Sequence, residues 1–154
     1  MSRTDLMEMQ ENYNAIIKGL NAMGWKYSVG EYMHTVSYTV NGNGLPMSFM
    51  MTVDGENRLI SVMSKLPIKV ESDKYSDIAM AVCYANYKMA DGCFHFDREK
   101  GHIYFKMSAS YLNSVVGNKL IEYLANVSAS TVDRYDDKFL AIANGDLTLI
   151  KFME

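Results

Sequence analysis

His34, His95 and His102 are the chain's three histidines, and Cys83 and Cys93 are its two cysteines. Zinc sites draw such ligands from short, characteristic spacings such as H-x-x-x-H or C-x-x-C. Neither occurs here. His95 and His102 flank one predicted hairpin turn, with Cys93 and Asp97 on the same side as His95. Four such groups on one sheet face could surround a metal. The same pattern is also the ordinary polar outer face of a hairpin, and that is the reading adopted. His34 alternates with Val36 and Tyr38 and reads as a partly buried strand residue. The two cysteines read as buried thiols rather than a disulfide.

Asp133, Asp136 and Asp137 cluster with Arg134 and Lys138. Paired carboxylates can act as acid and base when a cleft separates their pKa values. A mixed-sign run at helical spacing is a solvated face with i,i+4 pairs. Gly42 and Gly44 form G-x-G, but no strand-to-helix passage follows, so the dinucleotide fingerprint fails. G-x-S-x-G and G-K-[ST] are absent. Lys65, Lys69 and Lys74 border Pro67 and do not make a nucleic-acid track. The expectation is no catalytic residue, no metal, no cofactor and no enzymatic activity.

Composition agrees with a globular protein. The 154 residues are 49% hydrophobic and 21% charged, too apolar for disorder, and the length suits one domain spanning 1–154. A net charge of −3 gives no general attraction to nucleic acid or anionic lipid. No apolar run reaches the roughly 18 residues needed to cross a bilayer, and the first residues show no signal-peptide core, so a cytoplasmic protein is expected.

Periodicity supplies the elements. Leu6, Met9, Tyr13, Ile16, Leu20 and Met23 recur at spacings of three and four, predicting a helix over 4–23 capped by Thr4 or Asp5 and ended by Gly24. Asn12 falls on its outer face. From Tyr32 the period becomes two: Tyr32, His34, Val36, Tyr38 and Val40 share one face, and Met33, Thr35, Ser37 and Thr39 the other. Asn41-Gly42-Asn43-Gly44 makes a turn. Met47, Phe49, Met51 and Val53 mark a second strand, and Ile60, Val62 and Leu66 a third, closed by Pro67. Ser72 caps a second helix running to about Met89, with Tyr75, Ile78, Ala79, Val82 and Ala85 inward. Cys93–Asp97 and His102–Ala109 form a hairpin.

A final helix is predicted over 114–144. Leu120, Leu124, Val127, Thr131, Tyr135, Phe139 and Ile142 form its stripe, and Gly145 stops it. Such a helix would be about 45 Å long, so it either breaks near Asp136-Asp137 or overhangs and is covered by a partner. The apolar tail Leu147, Leu149, Ile150, Phe152 and Met153 should dock on something. Thirteen methionines and eleven tyrosines suit either an irregular core or an adaptable interface. The candidate partner-binding residues are therefore Leu120, Leu124, Tyr135 and Phe139.

The cadence of a helix carrying Asn86, the hairpin GCFHFDREKGHIYFKMSA, a long helix, and then DRYDDKFLAIANGD resembles the YbjN-domain family, of type III secretion chaperone-like fold. The resemblance implies an α+β domain: helix, three strands, helix, two strands, helix, with a five-stranded antiparallel sheet. It implies a homodimer without catalytic residues. The expected function is a non-enzymatic, chaperone- or adaptor-like protein-binding module for an unknown protein or peptide. The alternative is a sensor holding a small molecule between sheet and helix.

Overall fold

The computed structural model describes residues 1–32 and 34–154. Met33, expected on the outer face of the first long strand, lies outside the described residues.

Helix α1 spans Arg3–Ala22. Its cap is Ser2, not Thr4 or Asp5. The Ser2 hydroxyl accepts from Asp5 N while the Asp5 carboxylate accepts from Ser2 N, a reciprocal capping box. Six strands follow in part: β1 (Ser28–Val29), β2 (Thr35–Val40), β3 (Met47–Asp54) and β4 (Leu59–Lys69). A short 3₁₀ turn at Ser72–Lys74 leads into α2, Tyr75–Lys88. Then come β5 (Cys93–Asp97), β6 (His102–Ser110), α3 (Asn118–Asn144) and α4 (Leu149–Met153).

The sheet is antiparallel, in the order β1-β2-β3-β4-β6-β5. It has six strands where five were expected. The extra strand, β1, is two residues long and pairs Ser28 with Ser37 and Val29 with Val36. A strand that short carries no readable alternation. Two further boundaries differ. The strand expected to close at Pro67 continues to Lys69, with its register to β6 shifting between Lys65 and Lys69. Proline has no N–H to give a ladder, and an irregularity is where a strand tolerates it. The strand expected from Tyr32 begins at Thr35, because His34 sits at φ 64.

Inward side chains form the core. Val36, Met51, Val62 and Met107 align across four strands, and all are buried. Helices α1, α2 and α3 cover this face, with Ile16, Leu20, Ile78, Val82, Ile121 and Phe139 buried against it. Gly19 permits α1 and α3 to approach closely, since a Cβ there would lie 2.6 Å from Ile121 Cβ. On α2, Ala81 takes the inward place expected for Ala79. Asn12 is buried rather than outward. Its amide donates to Glu8 O (2.9 Å) and Ser114 O (3.0 Å) and accepts from Val116 N (3.0 Å), so it ties α1 to the segment entering α3. Periodicity marks apolar residues and cannot signal a buried amide of this kind.

Helix α3 runs unbroken for 27 residues, about 40 Å at 1.5 Å per residue. Of the two alternatives, the break near Asp136-Asp137 does not occur. Gly145 ends the helix at φ 82, as expected.

Candidate functional site

The aromatic end of α3 is built around the chain's own terminus. Tyr135 stacks on Phe139 with ring centroids 5.8 Å apart, and both rings pack on Phe94 and on Phe152 of α4. The Tyr84 hydroxyl donates to Met153 O at 2.8 Å, fixing the end of α4 against α2. Of the four sequence-derived partner residues, Leu124 and Phe139 are 1% and 0% exposed, inside the core. Leu120, in the first turn of α3, and Tyr135, about two thirds of the way along it, are half-buried and pack against that core.

The acidic cluster on α3 holds a loop. Asp133 accepts from Asn43 N (2.6 Å), Gly44 N (3.0 Å) and Asn43 Nδ2 (3.2 Å). Asp136, fully buried, accepts from Leu45 N at 3.1 Å. The backbone bonds from Gly44 and Asn43 hold the Asp133 carboxyl below its ordinary value, whereas burial raises that of Asp136. These carboxylates are therefore an anchor for the β2–β3 loop. The expected solvated face is only partly so: Asp137, Arg134 and Lys138 are exposed, and Asp136 is not.

The hairpin residues point outward. Cys93 Sγ lies 3.1 Å from His95 Nε2, His95 pairs with Tyr104, and Asp97 pairs with His102. The two histidines thus occupy different rows. Among the described residues no three His, Cys, Asp or Glu side chains gather as metal ligands would. The cysteines are free, but Cys83 is exposed and Cys93 partly so, not buried as expected.

What the packing leaves bare is the other face of the sheet. One row crosses all six strands: Ser28, Ser37, Met50, Met63, Lys106 and Cys93. A neighbouring row carries Lys65, Tyr104 and His95, and a third Lys69, His102 and Asp97. Met50, Met63 and Tyr104 form an apolar centre among serines and threonines, and Met63 is 37% exposed. A hollow of about 520 Å³ lies over Tyr27, Met50, Met63 and Tyr104, bordered by Lys26 and Lys65. A second, of about 430 Å³, shares Met63 and Tyr104 and extends to His95 and Lys106. Together they make one shallow trough across the strands. The space between sheet and helices, where the alternative sensor reading would place a ligand, is filled by Phe105, Phe139, Tyr111 and their neighbours. Sequence reasoning passed over this face. The available signal was a methionine at positions 50 and 63, where alternation calls for polar residues.

The strand at the sheet's far edge, β5, is closed by a side chain. Asn86 on α2 donates its amide to Phe94 O (2.9 Å) and accepts from Phe94 N (2.7 Å), imitating a further strand. Among the described residues no helix is long and apolar enough to cross a membrane.

No protein-family model matches the chain, and no curated protein does. Solved structures do. A chain of the HopA1–SchA chaperone–effector complex matches with a TM-score of 0.61 at 10% identity, over 86% of this chain and 97% of that one. YbjN from E. coli matches with a TM-score of 0.61 at 11% identity, over 86% and 92%. A chain of the ExsC–ExsE complex matches with a TM-score of 0.55 at 12% identity, over 84% and 96%. Identity this low speaks for architecture alone, and the architecture is the YbjN-like, secretion-chaperone-like α+β fold that the sequence cadence implied.

Proposed function

We propose that this chain is a single-domain, non-enzymatic protein-binding module, chaperone- or adaptor-like, that works in the cytoplasm as a homodimer and holds an extended segment of another protein. The observation that carries the reading is the bare sheet face. All the packed helices lie on one side, and the other presents Met50, Met63 and Tyr104 to solvent. Two of the similar structures are described as complexes, one of them of a chaperone with its effector, which supports a protein partner for this fold. Self-association draws support from the outward side of α2, where Met80 is 52% and Tyr87 82% exposed, with Cys83 between them. Leu120 and Tyr135 would serve only at the margins of such contacts, and Leu124 and Phe139 by keeping the core beneath them rigid.

Light scattering at micromolar concentration should give twice the 17.4 kDa chain mass. A strict monomer would remove the homodimer. Fluorescence anisotropy with a labelled ten-residue peptide, leucine and phenylalanine at its centre, tests the holding role. No saturable binding, whatever residues flank that centre, would remove it.

A further inference from the structure

The bare face is not neutral. The chain carries a net charge of −3, yet the trough is bordered by Lys26 at one end, Lys65 in the middle and Lys106 toward the other. All three are exposed, and among the described residues none is in a salt bridge. Lys69 and Lys100 stand beside His102 at the lower corner and add to the positive field there. The two acids near this face are also held in turns. Asp97 accepts from Glu99 N (3.0 Å) and Lys100 N (3.1 Å) in the β5–β6 turn. Asp54, at the upper edge, accepts from Glu56 N, Asn57 N and Asn57 Nδ2 in the β3–β4 turn. Asp97 borders the second hollow and Asp54 feels the charge of Lys106, but Lys26, Lys65, Lys69, Lys100 and Lys106 outnumber these two acids around the apolar centre.

The dimensions select the occupant. Six strands about 4.8 Å apart span about 24 Å, while an extended chain advances about 3.3 Å per residue. About seven residues would cross the whole sheet, from the Lys26 edge past Lys106 on β6 to β5. A shallow, elongated trough of that kind gives a compact small molecule little enclosure. A single-stranded nucleic acid would want successive aromatic platforms, and the centre here is two methionine side chains beside Tyr104.

We infer that the open face of the sheet docks an extended acidic peptide segment, about seven residues long. Its apolar side chains lie on Met50, Met63 and Tyr104, and its carboxylates meet Lys26, Lys65 and Lys106. This inference rests on the holding role proposed above and adds the partner's charge. Methionine supplies an adaptable apolar surface, so the segment's apolar side chains need not be of one type. Lysine ammonium groups on flexible stems reach carboxylates without fixing a single geometry. Selectivity then lies in charge sign and in chain extension.

The test uses anisotropy with the full chain and four labelled probes. Three are the ten-residue peptide with its leucine–phenylalanine centre flanked by two acidic residues, two serines or two lysines at each end. The fourth is a ten-nucleotide oligothymidine. The acidic peptide should bind at least tenfold more tightly than the serine peptide, and the lysine peptide should be weakest. The Lys65→Glu/Lys106→Glu variant should lose at least tenfold for the acidic peptide and little for the serine one. Both positions are exposed, and an unchanged thermal midpoint would verify folding. Equal binding of acidic and serine peptides would overturn the inference and leave the holding role intact. Binding of no peptide would overturn both. Oligothymidine binding more tightly than the acidic peptide would overturn it in favour of nucleic acid.

Discussion

The loop joining β2 to β3 is held to α3 by two carboxylates, and a single methyl group should release it. A Cβ at Gly44 would overlap Asp136 Oδ1 and lie 3.0 Å from Asp136 Cγ. Asp136 is fully buried, so its side chain cannot swing into solvent to make room. Gly44 has no positive φ, and the penalty for Gly44→Ala therefore comes from this overlap and not from backbone strain. The loop must lift, and the bonds at risk are Asn43 N and Gly44 N to Asp133 and Leu45 N to Asp136. Bonds to charged acceptors are worth about 1.5–3 kcal/mol each, so losing two costs about 3–6 kcal/mol. That is a large part of the roughly 5–15 kcal/mol that stabilises a domain. With a urea slope of about 2 kcal/mol/M, the unfolding midpoint should drop by about 1.5–3 M. Gly117→Ala is the control, because its Cβ would meet nothing within 4 Å, and it should cost less than about 1 kcal/mol. Asp136→Ala removes the overlapping atoms. The double variant should therefore be less destabilised than the sum of the two single ones. Gly44→Ala within about 0.5 kcal/mol of wild type, or simple additivity, would refute the reasoning.

The same two carboxylates should respond oppositely to pH. Asp133, lowered below 3.8 by its bonds from Gly44 and Asn43, stabilises the fold fully above that value. The contribution fades as pH falls through its folded pKa. The deficit of Asp133→Asn in urea melts should accordingly be largest at neutral pH and shrink in acid. Asp136 is raised by burial, so its ionisation weighs against the folded state as pH climbs from 3.8 through the raised value. Asp136→Asn should gain on wild type over that interval and then hold level. A deficit that shrank in acid for Asp136→Asn as well would contradict this assignment. At the sheet edge, Asn86→Ala removes both bonds to Phe94 and should speed amide exchange at Phe94 selectively. Exchange unchanged there would show that β6 alone secures β5.

Fold class was legible because two periods separate cleanly in this sequence. Met47, Phe49, Met51 and Val53 alternate, and all four are buried. The stripe of α3 was legible in position but rotated in detail. Leu124, Phe139 and Ile142 are core, yet the buried surface also takes Ala125, Ser128, Ala129, Val132 and Asp136. Small and polar residues at a close helix–sheet contact leave no hydrophobic signature. Ser128 is tolerated there because its hydroxyl donates back to Leu124 O at 2.6 Å. Asp136 is tolerated because Leu45 N reaches it. Neither partner can be inferred from spacing, since Leu45 lies 91 residues away in the chain. The β1 strand was illegible for a different reason. Two residues hold no period, and only their pairing with Ser37 and Val36 makes them a strand.

The site was hidden by the same logic that revealed the fold. Alternation directs attention to the buried set and treats every other position as solvent. On β3 and β4 the outward set includes Met50 and Met63, which alternation leaves unexplained. They gain meaning only when register places them side by side and brings Lys106 beside Met63 and Tyr104 beside Lys65. The apolar stripe of α3, by contrast, looked like unused surface because the sequence does not show that α4 returns to cover it. Once Phe152 sits on Tyr135 and Phe139, the surplus apolar surface moves from the long helix to the open sheet. There methionine lies among lysines, and a partner must satisfy charge as well as bury hydrocarbon. That pairing of demands is what the proposed acidic segment answers, and it belongs to the open sheet face rather than to the helix stripe.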